Sequence, residues 1–509
     1  MKLVVLTALF CLHSVAAYRI LSVLPTVTKS HYAPQGKLIR GLLERGHEVV
    51  SISPYEEKDV TANYTWVHVE IGSLVEAVPD LHKTSMVKLS FFDRQKIVWD
   101  SLWKYVNHIV KLPKLKNFIE NDQSHFDIVI AEEFFQPLFF VFSHKYNAPL
   151  IIMSSFGSGH FINQYMGDAL ELSYVPHEFT NIFGYLNLYE RARNVINTVY
   201  DIIGREIYVV RKQNAIVRDV FKDVQDVPYL GDLERNASLM FLNSHYSLST
   251  VKPSLPNIVE IGGIHMDKVK PLSKEIQNVL DGATDGAILF SFGSVMELSK
   301  QSSEMVAKIM ETLGKFKQRV LLKWNGENEI PNKPKNVYPF SWLPQNDILA
   351  HPKVVLFVTH GGLLSAMETV YHGVPVVCLP FYGDQHRNCD RGVKMGYGLL
   401  VDLEKIDTDL HRSMERVLSD PSFRSNIKSL SERFRDRQNP VLDTAVYWVE
   451  YCARHRGMPF MSSPKRRLYW FQYYFIDVIV FTLTTLWLAV KICTKIVARL
   501  KGLVKVKTS

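Results

Sequence analysis

The stretch 342–385, WLPQNDILAHPKVVLFVTHGGLLSAMETVYHGVPVVCLPFYGDQ, decides the fold. Its apolar run Val354 to Val358 predicts a strand that ends at Thr359-His360-Gly361-Gly362 and opens into a helix near Leu363. A second apolar run, Pro375 to Leu379, predicts the next strand, and strand–helix–strand alternation of this kind builds a parallel α/β sheet. In such sheets ligands bind beyond the carboxyl ends of the strands. Free amides and the dipole at a helix N-terminus there favour an anion such as a phosphate. Gly361 and Gly362 let the backbone come close, while His360 and Ser365 add side-chain donors. Glu368, one turn on, can accept from sugar hydroxyls. With Trp342 before the strand and Asp384-Gln385 after the next, the set suits a base, a ribose, two phosphates and a second sugar. A nucleotide-sugar has those parts.

Working outward, a βα series begins at Ala287, with strands expected at Ala287–Phe292, Arg319–Trp324, Val354–Val358, Pro375–Leu379 and Gly398–Val401. An earlier series reads strand, loop, helix, strand from Tyr18 to Pro54, with Leu38, Leu42 and Leu43 at helical spacing and Gly46 as a stop. Another βαβ fragment follows at Phe126 to Met153. Residues 85–120 are aromatic and helical in pattern, while 156–215 are aromatic and irregular. The fold class is α/β, with two doubly wound parallel-sheet domains at 18–253 and 274–442. The Pro- and Gly-rich segment 254–273 is the expected linker, and 443–467 holds a last helix and a juxtamembrane segment.

At 509 residues the chain is long for one core and fits two domains plus targeting segments. With 47% hydrophobic and 22% charged residues, its composition is that of a globular protein. The formal charge of +8 does not point to nucleic acid, because the acid-free tail 491–509 supplies most of the excess. Residues 1–17 read as a secretory signal, with Lys2, an apolar run to Leu12 and small residues before Tyr18. Leu468 to Val490 is long enough to span a bilayer, flanked by Lys465, Arg466 and Arg467, with Asp477 as a costly guest. The signal sets residues 18–467 in the lumen and the basic tail in the cytosol. Asn63-Tyr64-Thr65 and Asn236-Ala237-Ser238 are glycosylation acceptors, and the terminal Lys505-Val506-Lys507-Thr508-Ser509 looks like a retrieval signal for the endoplasmic reticulum. Cys378, Cys389 and Cys452 cannot make a disulfide framework, and no cysteine or histidine spacing suggests a metal.

The block from WLPQ to Asp384-Gln385 resembles the signature of the UDP-glycosyltransferases, in their animal membrane-bound branch. The likeness runs from Ser30-His31 through Phe126-Asp127 and Ser291-Phe292-Gly293-Ser294 to the C-terminal anchor. It implies the GT-B fold, two such domains facing a cleft, and an inverting transfer from a UDP-sugar co-substrate, without a cofactor, to a small lipophilic acceptor. The resemblance places the catalytic base at His31, in the loop after the first strand. It expects an aspartate at the end of the strand Phe126–Ala131, where this chain has Glu132, with Glu133 as the alternative. His47 is expected to be structural. On the donor side, Trp342 would stack on uracil, Gln345 reach uracil or ribose, and Glu368 the ribose. His360, Gly362, Ser365 and Ser294 would hold the phosphates, and Asp384 and Gln385 the transferred sugar.

Asp407-Thr408-Asp409 matches a metal-binding DxD, but it opens an amphipathic helical segment where aspartate caps, so no catalytic metal is expected. Two further readings stay open: a non-catalytic binder of UDP-sugars or small molecules on the same scaffold, and glucuronate in place of glucose as donor. Glucose is preferred because Asp384 disfavours a second carboxylate. A dehydrogenase lacks support, since the first loop, Pro25 to Pro34, has no glycine. The aromatic segments 85–120 and 156–215 are the expected acceptor walls, and a homo-oligomer is left open.

Overall fold

The computed structural model describes residues 17–26, 28–70, 89–157, 159–180, 184–293, 296–326, 329–381 and 383–507. The expected signal up to Ala16, Ser294, Thr508 and Ser509 therefore lie outside the described residues.

Two parallel sheets form the body. In the first, β1 (Arg19–Val23), β2 (Glu48–Ser53), β3 (Tyr64–His68), β4 (Ile128–Glu132), β5 (Leu150–Ser154), β6 (Leu239–Leu242) and β7 (Ile258–Glu260) run in the order 3-2-1-4-5-6-7. In the second, β8 (Ala287–Ser291), β9 (Arg319–Lys323), β10 (Val337–Phe340), β11 (Val354–Thr359), β12 (Val376–Cys378) and β13 (Gly398–Leu400) run 10-9-8-11-12-13. Sheets covered on both faces demand strands that are apolar throughout, and β4, β5 and β8 are buried at every position. Both strand orders reverse once, between β1 and β4 and between β8 and β11. At such switch points the loops part and leave a crevice.

The helix Lys29–Glu44 follows β1 and buries Leu38, Ile39, Leu42 and Leu43. Those side chains share a core with Ala445, Val446 and Val449 of the helix Val441–Arg454. The two helices cross so closely that a Cβ on Gly41 would stand 2.7 Å from Leu442 Cδ1. His47 is fully buried between them: its Nδ1 accepts from the Tyr18 amide, and Nε2 lies 3.2 Å from Glu450 Oε1. The structural part expected for His47 fits that placement.

Several expectations change. His31 is not in a loop but in the first turn of Lys29–Glu44. The segment expected as a linker contributes β7 to the edge of the first sheet, because Ile258 and Val259 pair beside β6. The last helix starts at Val441, two residues before the expected Asp443. Residues 188–205, expected to be irregular, form a helix that is inside out. Asn194, Asn197, Thr198, Asp201 and Arg205 are buried, while Leu188, Tyr189, Ile196, Val199 and Ile203 are exposed. The polar face turns inward because it finds partners there, Asn194 donating to the Leu172 and Val175 carbonyls.

Residues 462–509 form a separate unit. It contains the helix Ile476–Lys507, of which Ile476–Lys501 is long and apolar enough to cross a membrane. This stretch begins eight residues later than the sequence suggested. Asp477 accordingly sits in the first turn and accepts from the Val478 amide, where a negative charge suits the helix dipole.

Candidate active site

The first switch point assembles an acid–base pair. β4 ends at Glu132, and its neighbour β1 leads through residues 24–28 into the helix bearing His31. His31 Nδ1 lies 2.6 Å from Glu132 Oε1. A carboxylate can only accept, so the hydrogen sits on Nδ1 and the lone pair on Nε2. Ser155 Oγ donates to the same carboxylate oxygen over 2.7 Å. Phe134 and Phe156 close on the ring at centroid distances of 4.4 and 5.1 Å. Glu132 is buried and the imidazole half-buried, so one edge of the base stays open.

Glu133 points elsewhere, as strand alternation requires. Arg205 donates to it over 3.1 Å and pairs with Glu234 over 2.5 Å. Burial pushes the Glu133 carboxyl up to about 7, the shared guanidinium opposing this only in part. Of the two candidate acids, Glu132 is the one beside His31.

The second switch point gathers glycines, a histidine and a lysine around a helix N-terminus. Gly293, after β8, and Gly362, after β11, flank the His360 ring. A Cβ on Gly293 would stand 2.8 Å from His360 Cε1, and one on Gly362 2.6 Å from Nε2. Gly362 is also the N-cap of the helix Leu363–His372, and lacking a side chain it leaves the first-turn amides uncapped. Burial, then the nearby Lys323, lowers His360 to about 4, which leaves it neutral at pH 7. Lys323 Nζ donates to the Gly293 carbonyl over 2.7 Å and stands 5.1 Å from the centre of the Trp342 ring. Lys29 reaches the same ring from the first sheet, at 5.0 Å. Trp342 itself is 57% exposed, so it is a surface platform and not core.

Beside it, Gln345 opens a short helix and donates to Ser365 Oγ over 2.9 Å and to Glu368 Oε2. His265, from the expected linker, lies 3.6 Å from Glu368 Oε1. Asp384 is the N-cap residue of the helix Gln385–Lys394, yet its side chain makes no capping bond. It accepts instead from Asn388 Nδ2, which also donates to the Gly361 carbonyl and so ties Asp384 to the glycine loop. Burial raises the Asp384 carboxyl. Gln385 is buried and accepts from the Phe381 amide.

A cavity opens between the two sheets, with Phe156, Phe179 and Leu248 on one side and Met367, Asp384 and Arg387 on the other. Phe156 touches His31, and Asp384 lies within electrostatic reach of that imidazole, so both switch points face one space. Of the aromatic segments expected to line it, only 156–215 does so among the described residues. Trp99 and Tyr105 are core, Trp99 stacking on Tyr200 and Tyr208.

His177, Glu178 and Asp201 are close enough together to hold a metal ion. His177 Nδ1 accepts from the Phe179 amide, however, so its hydrogen is on Nε2, facing Asp201 Oδ2 at 3.5 Å. That tautomer has no lone pair for an ion. Asp407 and Asp409 lie in the first turn of Ile406–Ser419, where Lys405 and not an aspartate is the N-cap residue. Asn63 and Asn236 are both exposed, at a strand start and a helix end.

Sequence reasoning missed Lys29, Lys323, His265, Asn388, Arg387 and Arg391. Lys323 had a usable signal, since it ends the strand next to β8 at the carboxyl edge. Lys29 adjoins Ser30-His31. The others depend on which way a helix or linker faces.

The family described as "UDP-glucoronosyl and UDP-glucosyl transferase" matches residues 19–508. The chain is 31% identical over 479 residues to UDP-glycosyltransferase UGT5 of Dactylopius coccus, covering 91% of this chain and 89% of the relative. It is 29% identical over 485 residues to human UDP-glucuronosyltransferase 2B10, covering 90% and 89%. Among solved structures, CalG4, the calicheamicin glycosyltransferase, superposes with a TM-score of 0.58 at 14% identity, over 87% of this chain and all of that one. That likeness speaks for the fold alone. The chain belongs to the UDP-glycosyltransferase family and has its two-sheet GT-B fold.

Proposed function

We propose that the protein transfers a hexose from a UDP-sugar to a hydroxyl of a small lipophilic acceptor, with inversion, using His31 as the base. The supporting observation is the 2.6 Å contact between His31 Nδ1 and Glu132, which fixes the tautomer with Nε2 free to take a proton. The acceptor oxygen attacks the anomeric carbon as its proton moves to Nε2. The bond from that carbon to the β-phosphate oxygen breaks, and its electron pair leaves on UDP. Glu132 offsets the charge gained by the imidazole. A positioned base contributes about 10²–10⁴-fold. The charge leaving on UDP is met by the first-turn amides of Leu363–His372, by neutral His360 and by Lys323, each such donor being worth about 10²–10³-fold. This set supports transfer without a catalytic metal.

Gln345 and Glu368 would take the ribose, Trp342 the uracil face, and Asp384 and Gln385 the sugar hydroxyls, with glucose favoured by Asp384 when that residue is weighed alone. The helix Ile476–Lys501 would anchor the enzyme, with the body in the lumen of the endoplasmic reticulum and exposed Asn63 and Asn236 open to glycosylation.

The test uses the full chain in membranes with a lipophilic phenol and each UDP-sugar in turn. A β-glycoside should form from an α-linked donor. His31→Ala should lower turnover at least 100-fold and leave UDP binding intact. Equal turnover by wild type and H31A, or no product with any donor, would leave the protein as a binder of UDP-sugars.

A further inference from the structure

The helix Gln385–Lys394 brings Arg387 and Arg391, one turn apart, to the wall of the cavity between the sheets. The Nε of each is buried without a hydrogen-bond partner, and no ion pair among the described residues includes either guanidinium. Arg391 is buried and Arg387 half-buried; the buried Arg205, by contrast, is closed off by Glu133 and Glu234. A guanidinium withdrawn from water without a counter-ion is costly, and two adjacent ones repel as well. Burial, then the charge of Arg391, lowers Arg387 to about 10, and burial lowers Arg391 too.

The carboxylates within electrostatic reach of Arg387 are engaged elsewhere. Asp384 accepts from Asn388, and Glu178 accepts from the His160 amide and faces His160 Nδ1 at 2.9 Å. Such a pair lacks one component, an anion that enters with a ligand.

We propose that Arg387 and Arg391 form a carboxylate subsite, so that one of the two substrates carries an acid group, either the uronic acid of the donor sugar or a carboxylate on the lipophilic acceptor. The inference rests on the transferase reading above. A planar carboxylate matches the fork of N–H donors on a guanidinium. The same wall carries apolar Phe156, Phe179, Leu248 and Met367, which suit the body of a lipophilic molecule, among polar side chains such as Asn243 and Ser244. Phe156 lies against His31, so a ligand held there has the base alongside. Asp384 alone argued for a neutral sugar; beside two cations it no longer does.

The experiment compares two ratios of kcat/KM in the full-length protein. One is a hydroxynaphthoic acid over its methyl ester with UDP-glucose. The other is UDP-glucuronate over UDP-glucose with a neutral naphthol. At least one ratio should exceed about 10 in the wild type, fall toward 1 in the double variant Arg387→Gln, Arg391→Gln, and keep an intermediate value in Arg387→Lys. Which ratio responds identifies the source of the carboxylate. If both stay near 1 in the wild type, or neither moves in the variants, the subsite is refuted. Should the double variant no longer bind UDP, the wild-type ratios and Arg387→Lys decide alone. A wild type that turns over no donor would instead refute the transferase reading.

Discussion

Two histidines stand at the carboxyl edges of the two sheets, His31 in the helix after β1 and His360 in the loop after β11, each beside a switch point but on opposite sides of it, and their surroundings differ sharply. His31 has a buried carboxylate 2.6 Å away, which welcomes the positive charge that a base acquires. Among the described residues no acid pairs with His360; it has a lysine nearby and two glycines against its ring, and burial holds it neutral. Fold position therefore sets where a side chain can act, and the neighbour sets what it does.

The largest expected effect comes from changing the neighbour of His31. In Glu132→Gln the amide can donate to Nδ1 and move the ring hydrogen onto Nε2, so turnover should fall about 10²–10⁴-fold while the donor KM holds. A rise in KM with unchanged turnover would show that Glu132 shapes the donor site instead. The next effect concerns His360 and acid. Between about pH 6.5 and 4 the unfolded chain binds a proton that the folded ring refuses, so stability falls as the pH drops through that window and levels below it. Denaturant titrations at pH 7 and 4.5 should show this slope weakened in His360→Asn by up to about 3 kcal/mol. The slope that remains includes His245, which burial also lowers to about 4. An unchanged slope would contradict a neutral His360. The smallest effect is steric. Gly362→Ala puts a Cβ where the His360 ring lies, and should raise the donor KM about tenfold with a smaller change in kcat. Equal losses in both would mean the ring acts mainly in the transition state.

Much of this was legible in the chain. Apolar runs ending in glycine or serine marked β8 and β11 and put His360 at a strand's carboxyl end, while His31 and Glu132 were picked out by the family resemblance. What stayed hidden depends on facing. Periodicity can announce the helix Leu188–Arg205, but an apolar stripe normally faces inward, and here Asn194, Asp201 and Arg205 take that side. Arg387 and Arg391 read as solvated charges, because nothing local says that no carboxylate awaits them. β7 was obscured by the prolines before it and the glycines after it.

The helix Val441–Arg454 links the two halves of the molecule. It follows the second sheet in sequence, yet its apolar side completes the packing of the helix that carries His31. The two halves are thus not interchangeable modules. A hybrid that joins the front of this chain to the rear of a relative would need to import residues 441–461 together with the front, or the helix bearing His31 would lose its brace.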